Sequence, residues 1–355
     1  MNNKLKEKKG YGSFFSSVNP AIFKDYPNNF IPENRKLFYS GRHAIKYILD
    51  ALKKKNEVSN IWLPEYYCQF VTSWLKKNYT NIKMYKVEPL NQSFVINVNN
   101  FLKNNDIIIV NNFWGTSECK LKSFNRKVTI IEDHSHGWLS KACLESKADY
   151  CFASLRKSVP SPLGGIAWSP NEDKLPDLEM DHSDCFSEIW NNKHNAMRKK
   201  KQFEDEGYLD KNLKSEFLES ISKSENQMHN NYKLYAIKTE HENILERYLN
   251  YNYLELKKDN YIKVNRLIKE NNTFKYVNHD ATPFGLILHF TDLNKVNAFK
   301  QYLINNTIYP SLLWPDNLSE YGYFLNIHID FRYRNQDITF ILEVINNYCD
   351  YVIKP

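Results

Sequence analysis

Apolar positions in the first half of the chain follow two different spacings. One set recurs at the spacing of a helix face directly after Gly41: Ala44, Ile45, Ile48, Leu49 and Leu52. This set predicts a helix that begins near residue 41. Short apolar runs that predict strands lie between helix-length segments, at residues 60–63, 82–87, 106–110, 130–131, 150–152 and 166–168. Strands that alternate with helices predict an α/β fold with a mainly parallel sheet.

The patterning divides the chain into three parts. Residues 1–39 lack a regular period and are predicted to form an N-terminal arm, whose phenylalanines can pack on the body or on a second subunit. Residues 40–240 are predicted to form a large domain, in which the polar, strand-poor stretch from residue 171 predicts long helices that lead away from the sheet. Residues 241–355 are predicted to form a smaller C-terminal α+β domain.

The composition argues against several classes of protein. The chain has 355 residues, 42% of them hydrophobic and 25% charged, as expected for a globular protein of two domains. The net charge of +7 is modest and the lysines are spread, so no nucleic-acid partner is expected. The six cysteines show no metal-ligand spacing. No segment resembles a signal peptide or a membrane span, so we expect a cytoplasmic protein with no membrane partner.

Polar residues follow the predicted strands at the ends where parallel α/β sheets bind ligands. The run at 127–131 ends in Glu132-Asp133, and the run at 150–152 is followed by Ser154 and then Lys157. An acid after one strand and a lysine after the next suit an enzyme that holds pyridoxal 5'-phosphate (PLP). Lys157 would form the Schiff base, and Asp133 would pair with the protonated ring nitrogen. The alternatives are a carboxylate that caps a strand end and a lysine on the surface.

A phosphate needs backbone donors at a helix start, together with hydroxyls or cations. Gly41-Arg42-His43 lies at the predicted helix start, and Ser154 can add a hydroxyl from the lysine side. Glycine there lets the backbone approach a ligand closely. The sequence therefore predicts that Gly41, Arg42, His43 and Ser154 bind the phosphate, and ordinary helix capping is the alternative.

Two motifs in this order resemble those of a known family. Glu132-Asp133-His134-Ser135-His136 is similar to the family's Glu-Asp-x-x-Gln/His motif at the cofactor ring. Ser154-x-x-Lys157, followed by Gly164-Gly165, is similar to the family's lysine ahead of a Gly-Gly turn. The family is the sugar-aminotransferase-like superfamily (DegT/DnrJ/EryC1/StrS) of fold-type I PLP enzymes. The resemblance covers residues 40–170 well and the remainder weakly.

The resemblance implies a fold-type I PLP-transferase, in which a large domain with a mainly parallel mixed sheet is joined to a smaller α+β domain. It implies an aminotransferase, commonly a homodimer, that moves an amino group from an amino-acid donor to a keto acceptor. A nucleotide-linked keto sugar is the family's common acceptor, and a smaller keto or phosphorylated keto substrate remains open. Lys157 would move the proton in both half-reactions.

The resemblance also implies roles around the cofactor ring. His136 matches the position that hydrogen-bonds the ring hydroxyl, and Asn112, at the neighbouring strand end, can assist it. Tyr67 follows the first strand of the site, where the family places the aromatic residue that stacks on the ring. Packing of Tyr67 in the core is the alternative.

Three departures from the family leave other functions open. The family's phosphate turn has Gly-Thr where this chain has Gly41-Arg42, so Arg42 itself is a candidate partner of the phosphate. Cys68 stands where an aromatic residue is common, and His134 where a small residue is usual. A PLP enzyme with another reaction (dehydration, decarboxylation or acyl transfer) and a non-catalytic binding or regulatory relative remain alternatives.

Alternating residues near the C-terminus predict a substrate contact. In the segment 328–334, Arg332 and Arg334 share one face of an extended chain, and arginine forks suit a carboxylate or a phosphate. Both arginines are predicted to bind substrate, and a polar strand edge is the alternative.

A metal site is the competing interpretation of the motif at residues 132–136. Asp133, His134 and His136 carry side chains of metal-ligand type. No further cluster at ligand spacing completes such a site, so no metal is predicted.

Overall fold

The structure is a computed structural model that describes residues 9–55, 58–91, 94–116, 120–122, 127–171, 174–208, 210–277, 284–317 and 319–352. Its strands are β1 (Arg35–Phe38), β2 (Ile61–Pro64), β3 (Ile82–Tyr85), β4 (Val95–Ile96), β5 (Ile107–Asn111), β6 (Lys120–Leu121), β7 (Thr129–Asp133), β8 (Tyr150–Ala153), β9 (Gly165–Trp168), β10 (Lys275–Tyr276), β11 (Leu286–Phe290), β12 (Ser311–Leu313) and β13 (Tyr323–Ile327). Its α-helices are α1 (Gly41–Lys55), α2 (Gln69–Asn78), α3 (Lys141–Leu144), α4 (Cys185–Asp205), α5 (Lys211–Asn230), α6 (Thr239–Leu249), α7 (Tyr253–Leu256), α8 (Lys258–Leu267), α9 (Leu293–Asn305) and α10 (Asn335–Val352).

Seven strands form one mixed sheet in the order β1-β9-β8-β7-β5-β2-β3. Strands β2, β3, β5, β7 and β8 run parallel, whereas β9 and β1 are antiparallel to their neighbours. All five residues of the interior strand β5 are buried, as expected for a strand covered on both faces. The predicted α/β class with a mainly parallel sheet is confirmed.

Strand β1 lies inside the segment that was predicted to be an irregular arm. Leu37 and Phe38 are buried, and the strand pairs with β9 at the edge of the large sheet. The irregular arm therefore ends before Arg35. Four residues are too few to display a hydrophobic period, so this strand forms because a partner edge is available.

Helix α1 begins at Gly41, as the hydrophobic spacing predicted. Ser40 precedes it, and the Ser40 Oγ accepts a hydrogen bond from the His43 amide (3.3 Å). This contact satisfies one of the amides that have no partner in the first turn of a helix. The buried face of α1, which includes Ile45 and Ile48, packs on β8 and β9. The first turn of α1 is thereby held at the carboxyl end of β8.

Helices α4 and α5 form an antiparallel hairpin after the sheet. The sequence predicted that long helices here lead away from the large domain, and the structure differs on this point. The two helices pack on each other, and both contribute to the wall of the main cavity through residues such as Lys193 and Glu225. They return to the body because Phe186 and Trp190 of α4 and Met228 of α5 bury apolar surface in the core beside the large sheet.

The C-terminal part has its own antiparallel sheet, in the order β10-β11-β13-β12. Helices α8, α9 and α10 supply the other half of its core, in which Phe299, Leu325 and Ile341 are fully buried. This arrangement is the smaller α+β unit that the sequence predicted. No helix in the described ranges is long and apolar enough to cross a membrane.

Candidate active site

The main cavity lies at the carboxyl ends of β5, β7 and β8 and has a volume of about 690 Å³. The start of α1, the α4–α5 hairpin and the segment 311–315 of the small domain complete its wall. Asn111 and Asp133 are register partners at the ends of adjacent strands, and Lys157 follows the next strand. Side chains from three consecutive strand ends therefore face one space, as expected for a ligand site in a parallel sheet.

Asp133 is held by two hydrogen bonds. Its Oδ2 accepts from the Tyr67 hydroxyl at 2.5 Å, and its Oδ1 accepts from the Ser135 amide at 2.8 Å. Burial, followed by the charge of Asp133, raises the pKa of Tyr67 well above its usual value, so the phenol remains a donor at physiological pH. Tyr67 therefore orients the carboxylate of Asp133 from behind; it does not line the cavity itself. The stacking position predicted for Tyr67 has no support in this geometry.

Lys157 stands opposite His136. The Lys157 Nζ lies 3.1 Å from the His136 Nε2. Burial lowers the pKa of Lys157; Arg156 and Arg42 lower it further, while Asp133 opposes them. Burial also lowers the pKa of His136 well below its usual value, and the charge of Lys157 adds to this effect. A neutral imidazole that faces an easily deprotonated amine is an arrangement suited to nucleophilic attack and proton transfer.

The His136 ring is fixed by two aromatic contacts. It stacks on Phe284 with a centroid separation of 4.3 Å and on Trp314 at 5.5 Å. Both neighbours come from the C-terminal part of the chain, so the imidazole is oriented by residues about 150 or more positions away in sequence. The orientation of His136 therefore depends on the docking of the small domain.

Glycines permit a close junction between α1 and the lysine segment. A Cβ placed on Gly41 would lie 3.0 Å from the Ser154 Cβ, and one placed on Gly165 would lie 2.2 Å from the carbonyl carbon of Ser40. Gly165 must therefore lack a side chain, and a side chain at Gly41 would require Ser154 to move by a few tenths of an ångström. The junction brings Ser154 and the first amides of α1 to one end of the cavity, where a helix start favours an anion.

The two residues after Gly41 point in different directions. Arg42 lines the cavity, and its Nη1 donates to the His229 Nδ1 at 3.0 Å. His43 instead faces the core, with its Nδ1 2.8 Å from the Ser40 Oγ and its ring 5.0 Å from that of Phe186. Burial and the charge of Arg42 lower the pKa of His43 to about 3. The predicted contact of His43 with a phosphate is therefore not supported by the position of its side chain.

Asn111, the last residue of β5, faces the cavity in place of the predicted Asn112. The Asn112 Nδ2 donates to the Ser140 Oγ (3.0 Å) and to the His134 Nδ1 (3.2 Å), so this amide is committed outside the cavity. Asn111 lines the cavity, and its Nδ2 has no hydrogen-bond partner among the described residues. Consecutive residues of a strand face opposite sides, so a one-residue error in the strand end reverses the assignment.

His134 belongs to a polar network beside the site. Its Nε2 lies 2.9 Å from the Glu132 Oε2, which also accepts from the Ser146 hydroxyl at 2.6 Å. Glu132, His134 and Cys151 are the one group of possible metal ligands found within the described ranges. Because these side chains already bond to one another and to Ser146, the network orients the strand end.

Arg332 and Arg334 do not reach the cavity, which corrects the prediction made from their alternation. Arg332 forms a buried pair with Asp330 (Nη2 to Oδ2, 2.6 Å) and donates to the backbone carbonyls of Gly12 and Phe14. Arg334 is exposed, and its amide donates to Asp337 at the start of α10. Arg332 therefore has a structural role, and Arg334 faces solvent instead of the cavity.

The residue of this segment that does line the cavity is His328. Its Nδ1 lies 3.5 Å from the Asp330 Oδ2, and Asp330 is in turn held by Arg332. This arrangement orients the ring so that Nε2 can face the cavity. The alternation that suggested the arginines could equally have indicated His328, because it lies on the same face of the extended segment.

Several cavity residues had no signal in the sequence. Lys193 and Glu225 lie in polar helices, where charged residues are ordinary, and Arg156 directly precedes Lys157 without a motif of its own. Glu225 accepts hydrogen bonds from both Arg156 and Lys193. Only the folding of the hairpin brings these charges together.

Solved structures share this architecture at low sequence identity. A protein of Streptococcus pneumoniae described as a sugar aminotransferase, in its PLP form, is 12% identical and gives a TM-score of 0.56 over 97% of this chain and 94% of that chain. A sugar aminotransferase from Micromonospora echinospora is 11% identical, with a TM-score of 0.53 and coverage of 95% and 99%. A DegT DnrJ EryC1 StrS aminotransferase from Brucella abortus is 12% identical, with a TM-score of 0.51 and coverage of 90% and 86%. No protein-family model and no curated protein matches the sequence.

These likenesses extend over nearly the whole chain and establish its fold. The protein has the fold of the fold-type I PLP transferases, and the solved structures that resemble it include sugar aminotransferases. At 11–12% identity the likeness shows the fold alone, and the activity depends on the residues of the site.

Proposed function

We propose that the protein is a PLP-dependent aminotransferase that moves an amino group from an amino acid to a keto acceptor. The observation that carries this proposal is the arrangement of Asp133 and Lys157 on adjacent strand ends, facing one cavity. A buried carboxylate and a lysine of lowered pKa at this point of a fold-type I sheet are the two groups that PLP chemistry needs.

The donor set of the cavity fits this cofactor. Asn111 Nδ2 and Ser161 Oγ are buried, line the cavity and have no partner within the described ranges, so polar groups of a ligand can satisfy them. Gly41 and Ser154 bring amides and a hydroxyl to the end of the cavity that suits a phosphate. A site that binds no polar ligand would leave these donors unsatisfied.

Each polar group of the cofactor has a proposed partner in the cavity. The first amides of α1 at Gly41 and Arg42, together with Ser154, would hold the phosphate. Asp133 would pair with the ring nitrogen, and His136 or Asn111 would face the ring hydroxyl. When bound, the cofactor supplies an electron sink for the bond that breaks at the amino-acid carbon.

Lys157 carries the proton steps in this proposal. Its lowered pKa makes the neutral amine available, first to attach the cofactor and then to accept a proton from the donor's α-carbon. His136, 3.1 Å away, has a low pKa and offers a neutral nitrogen to the amine, which holds Nζ in position. Asp133, fixed by Tyr67 and Ser135, keeps its charge directed at one point of the cavity.

We propose a keto sugar as the first acceptor to be examined. Two of the solved structures that resemble this chain are described as sugar aminotransferases. The cavity of about 690 Å³ has room for a substrate beside a cofactor, and it is partly lined by aromatic residues that suit the face of a sugar ring. A smaller phosphorylated keto compound is the next candidate.

Two further features belong to the proposal. A homodimer is inferred because Phe70 lines the cavity and is 58% exposed, which leaves an apolar residue at the rim for a second chain to cover.

A cytoplasmic location is inferred because Cys68, Cys143, Cys151 and Cys185 are all free thiols, as a reducing compartment allows.

The absorbance spectrum of the purified protein is the measurement that tests the proposal. We expect a visible band with PLP that borohydride bleaches, with the label fixed on Lys157, and no such label in Lys157→Ala. An amino donor alone should then convert the band to that of the amine form, and a keto acid should restore it. Release of carbon dioxide or ammonia without the amine form would instead indicate another PLP reaction. A full-strength band in Lys157→Ala would remove the assignment of Lys157.

A further inference from the structure

Three cations and one carboxylate gather at the end of the cavity where α1 begins. Arg42 comes from α1, Arg156 precedes Lys157, and Lys193 and Glu225 come from the α4–α5 hairpin. A single oxygen of Glu225, Oε1, accepts hydrogen bonds from both Arg156 and Lys193. Four side chains from four separate segments thus form one ionic cluster.

The cluster carries two uncompensated positive charges. Arg42, Arg156 and Lys193 contribute three, and Glu225 removes one. Burial lowers the pKa of Lys193 to about 8, with Arg156 adding and Glu225 opposing, so the ammonium remains mostly charged at neutral pH. Although burial alone would raise it, Arg156 and Lys193 hold the pKa of Glu225 at about 2. His229 does not compensate the excess: burial and the neighbouring Arg42 lower its pKa, and it pairs with Arg42 as a neutral ring.

Two buried hydrogen-bond donors lie in the same cavity as this excess positive charge. Arg156 Nε and Ser161 Oγ are buried and have no hydrogen-bond partner among the residues described. Ser161 is only 4% exposed, and both residues line the same cavity. Buried charges without a counter-charge and buried donors without an acceptor are costly, so a ligand that satisfies both is expected.

We propose that Arg42, Arg156, Lys193 and Glu225 form the subsite of a dianionic phosphate monoester; resting on the proposed function, this ligand is the cofactor's phosphate. A dianion balances the net charge of +2, whereas a carboxylate leaves one positive charge over. The adjacent start of α1 favours an anion in the same place. Helices α4 and α5 thereby supply two of the four charged side chains: Lys193 would contact the phosphate, and Glu225 would orient Lys193 and Arg156.

The arrangement links the hairpin to ligand binding. Glu225 fixes Lys193 of α4 and Arg156 of the lysine segment, so the phosphate draws together elements that are 30 or more residues apart. Because a ligand that binds only the folded state raises its stability, inorganic phosphate should raise the melting temperature of the cofactor-free protein.

The test measures binding rather than turnover. Inorganic phosphate is titrated into the full-length, cofactor-free protein by calorimetry, and dissociation constants are measured for PLP and for pyridoxal, which lacks the phosphate. Lys193→Gln and Arg156→Gln should each weaken binding of phosphate and of PLP by roughly tenfold or more, because each removes one charged donor. Their affinity for pyridoxal should change by less than about threefold.

Two variants serve as controls. Lys193→Arg keeps the charge and should retain phosphate affinity within about threefold. Lys199→Gln removes a lysine from the exposed side of the same helix, where it pairs with Glu216, and should bind phosphate as the parent protein does. Circular dichroism identifies a variant that has not folded. If Lys193→Gln does not fold, the comparison rests on Arg156→Gln and Lys193→Arg.

The outcomes separate this inference from the proposed function. Unchanged phosphate affinity in both Lys193→Gln and Arg156→Gln overturns the inference. An equal loss of affinity for PLP and for pyridoxal shows a merely structural role and also overturns it. A parent protein that binds phosphate through these residues, but forms no borohydride-fixed adduct at Lys157, retains the inference and loses the proposed function.

Discussion

Two adjacent tyrosines are equally buried, but their hydroxyls differ in hydrogen bonding. Tyr66 and Tyr67 are both 1% exposed. The Tyr67 hydroxyl donates to Asp133 at 2.5 Å, whereas the Tyr66 hydroxyl has no hydrogen-bond partner in the described residues. Burial is therefore the same for both side chains, and only the contact made by the oxygen distinguishes them.

We expect Tyr67→Phe to lower the free energy of unfolding by about 1.5–3 kcal/mol, because it removes a hydrogen bond to a charged group and leaves Asp133 short of a donor. Tyr66→Phe is the matched control and should be neutral or slightly stabilising, since it removes a buried hydroxyl that bonds to nothing described. Urea unfolding of the two variants measures the difference. Equal losses would show that ring packing dominates at both positions.

The reactivity of Lys157 provides a pH-dependent prediction. Lysine reacts as the neutral amine, so a lowered pKa moves reaction to lower pH. Labelling of Lys157 by a small arylating reagent, followed by mass spectrometry, should therefore have its midpoint below the usual pKa of a lysine side chain. Arg156→Gln should raise the midpoint by removing a positive neighbour, and Asp133→Asn should lower it by removing a negative one. Shifts of the opposite sign would contradict this electrostatic account.

At the scale of elements, Arg332 joins the N-terminal arm to the small domain. Its guanidinium pairs with Asp330, donates to the Gly12 and Phe14 carbonyls and lies 4.5 Å from the centroid of the Phe15 ring. Because Phe14 and Phe15 line the cavity, this anchor also places part of the cavity wall. Arg332 therefore acts on the site through the arm.

Arg332→Met should destabilise the protein by about 3–5 kcal/mol, because it leaves the buried carboxylate of Asp330 without its partner. Arg334→Ala removes an exposed arginine two residues away and should change stability by less than about 0.5 kcal/mol. Chemical denaturation measures both values. Affinity for the amino donor should not change in Arg334→Ala; a large loss there would restore the substrate role that its spacing first predicted.

At the scale of the whole molecule, the rim of the cavity carries exposed apolar surface that a second chain can cover. Phe70 and Ile262 are equally exposed, at 58% each. Phe70 lies at the cavity rim, whereas Ile262 lies on α8 in the C-terminal part. The proposed dimer should therefore depend on the first and not on the second.

Light scattering should give twice the chain mass of 42.2 kDa for the parent protein. Phe70→Glu places a charge where apolar surface would be buried, so it should shift the protein towards monomer. Ile262→Glu introduces the same charge at equal exposure and should leave the dimer intact. A parent protein that is a monomer when loaded with cofactor and active would remove the dimer from the proposal.

Three features could be predicted from the sequence alone: the α/β class, the start of α1 and the meeting of Asp133 with Lys157. These features follow from local periodicity and from a general property of parallel sheets, whose carboxyl strand ends lie along one edge. Residues placed directly after such strands must therefore come close together, whatever the remainder of the chain does.

Which of two neighbouring side chains reaches the cavity depends on how the folded chain packs, and the sequence did not predict it. Arg42 rather than His43 and Asn111 rather than Asn112 face it, because consecutive residues point in different directions and a local pattern leaves the direction open by one position. Lys193 and Glu225 reach the site through the packing of the α4–α5 hairpin. Charged residues in polar helices carry no signal of their partners, so contacts across 30 or more residues exist only once the chain has folded.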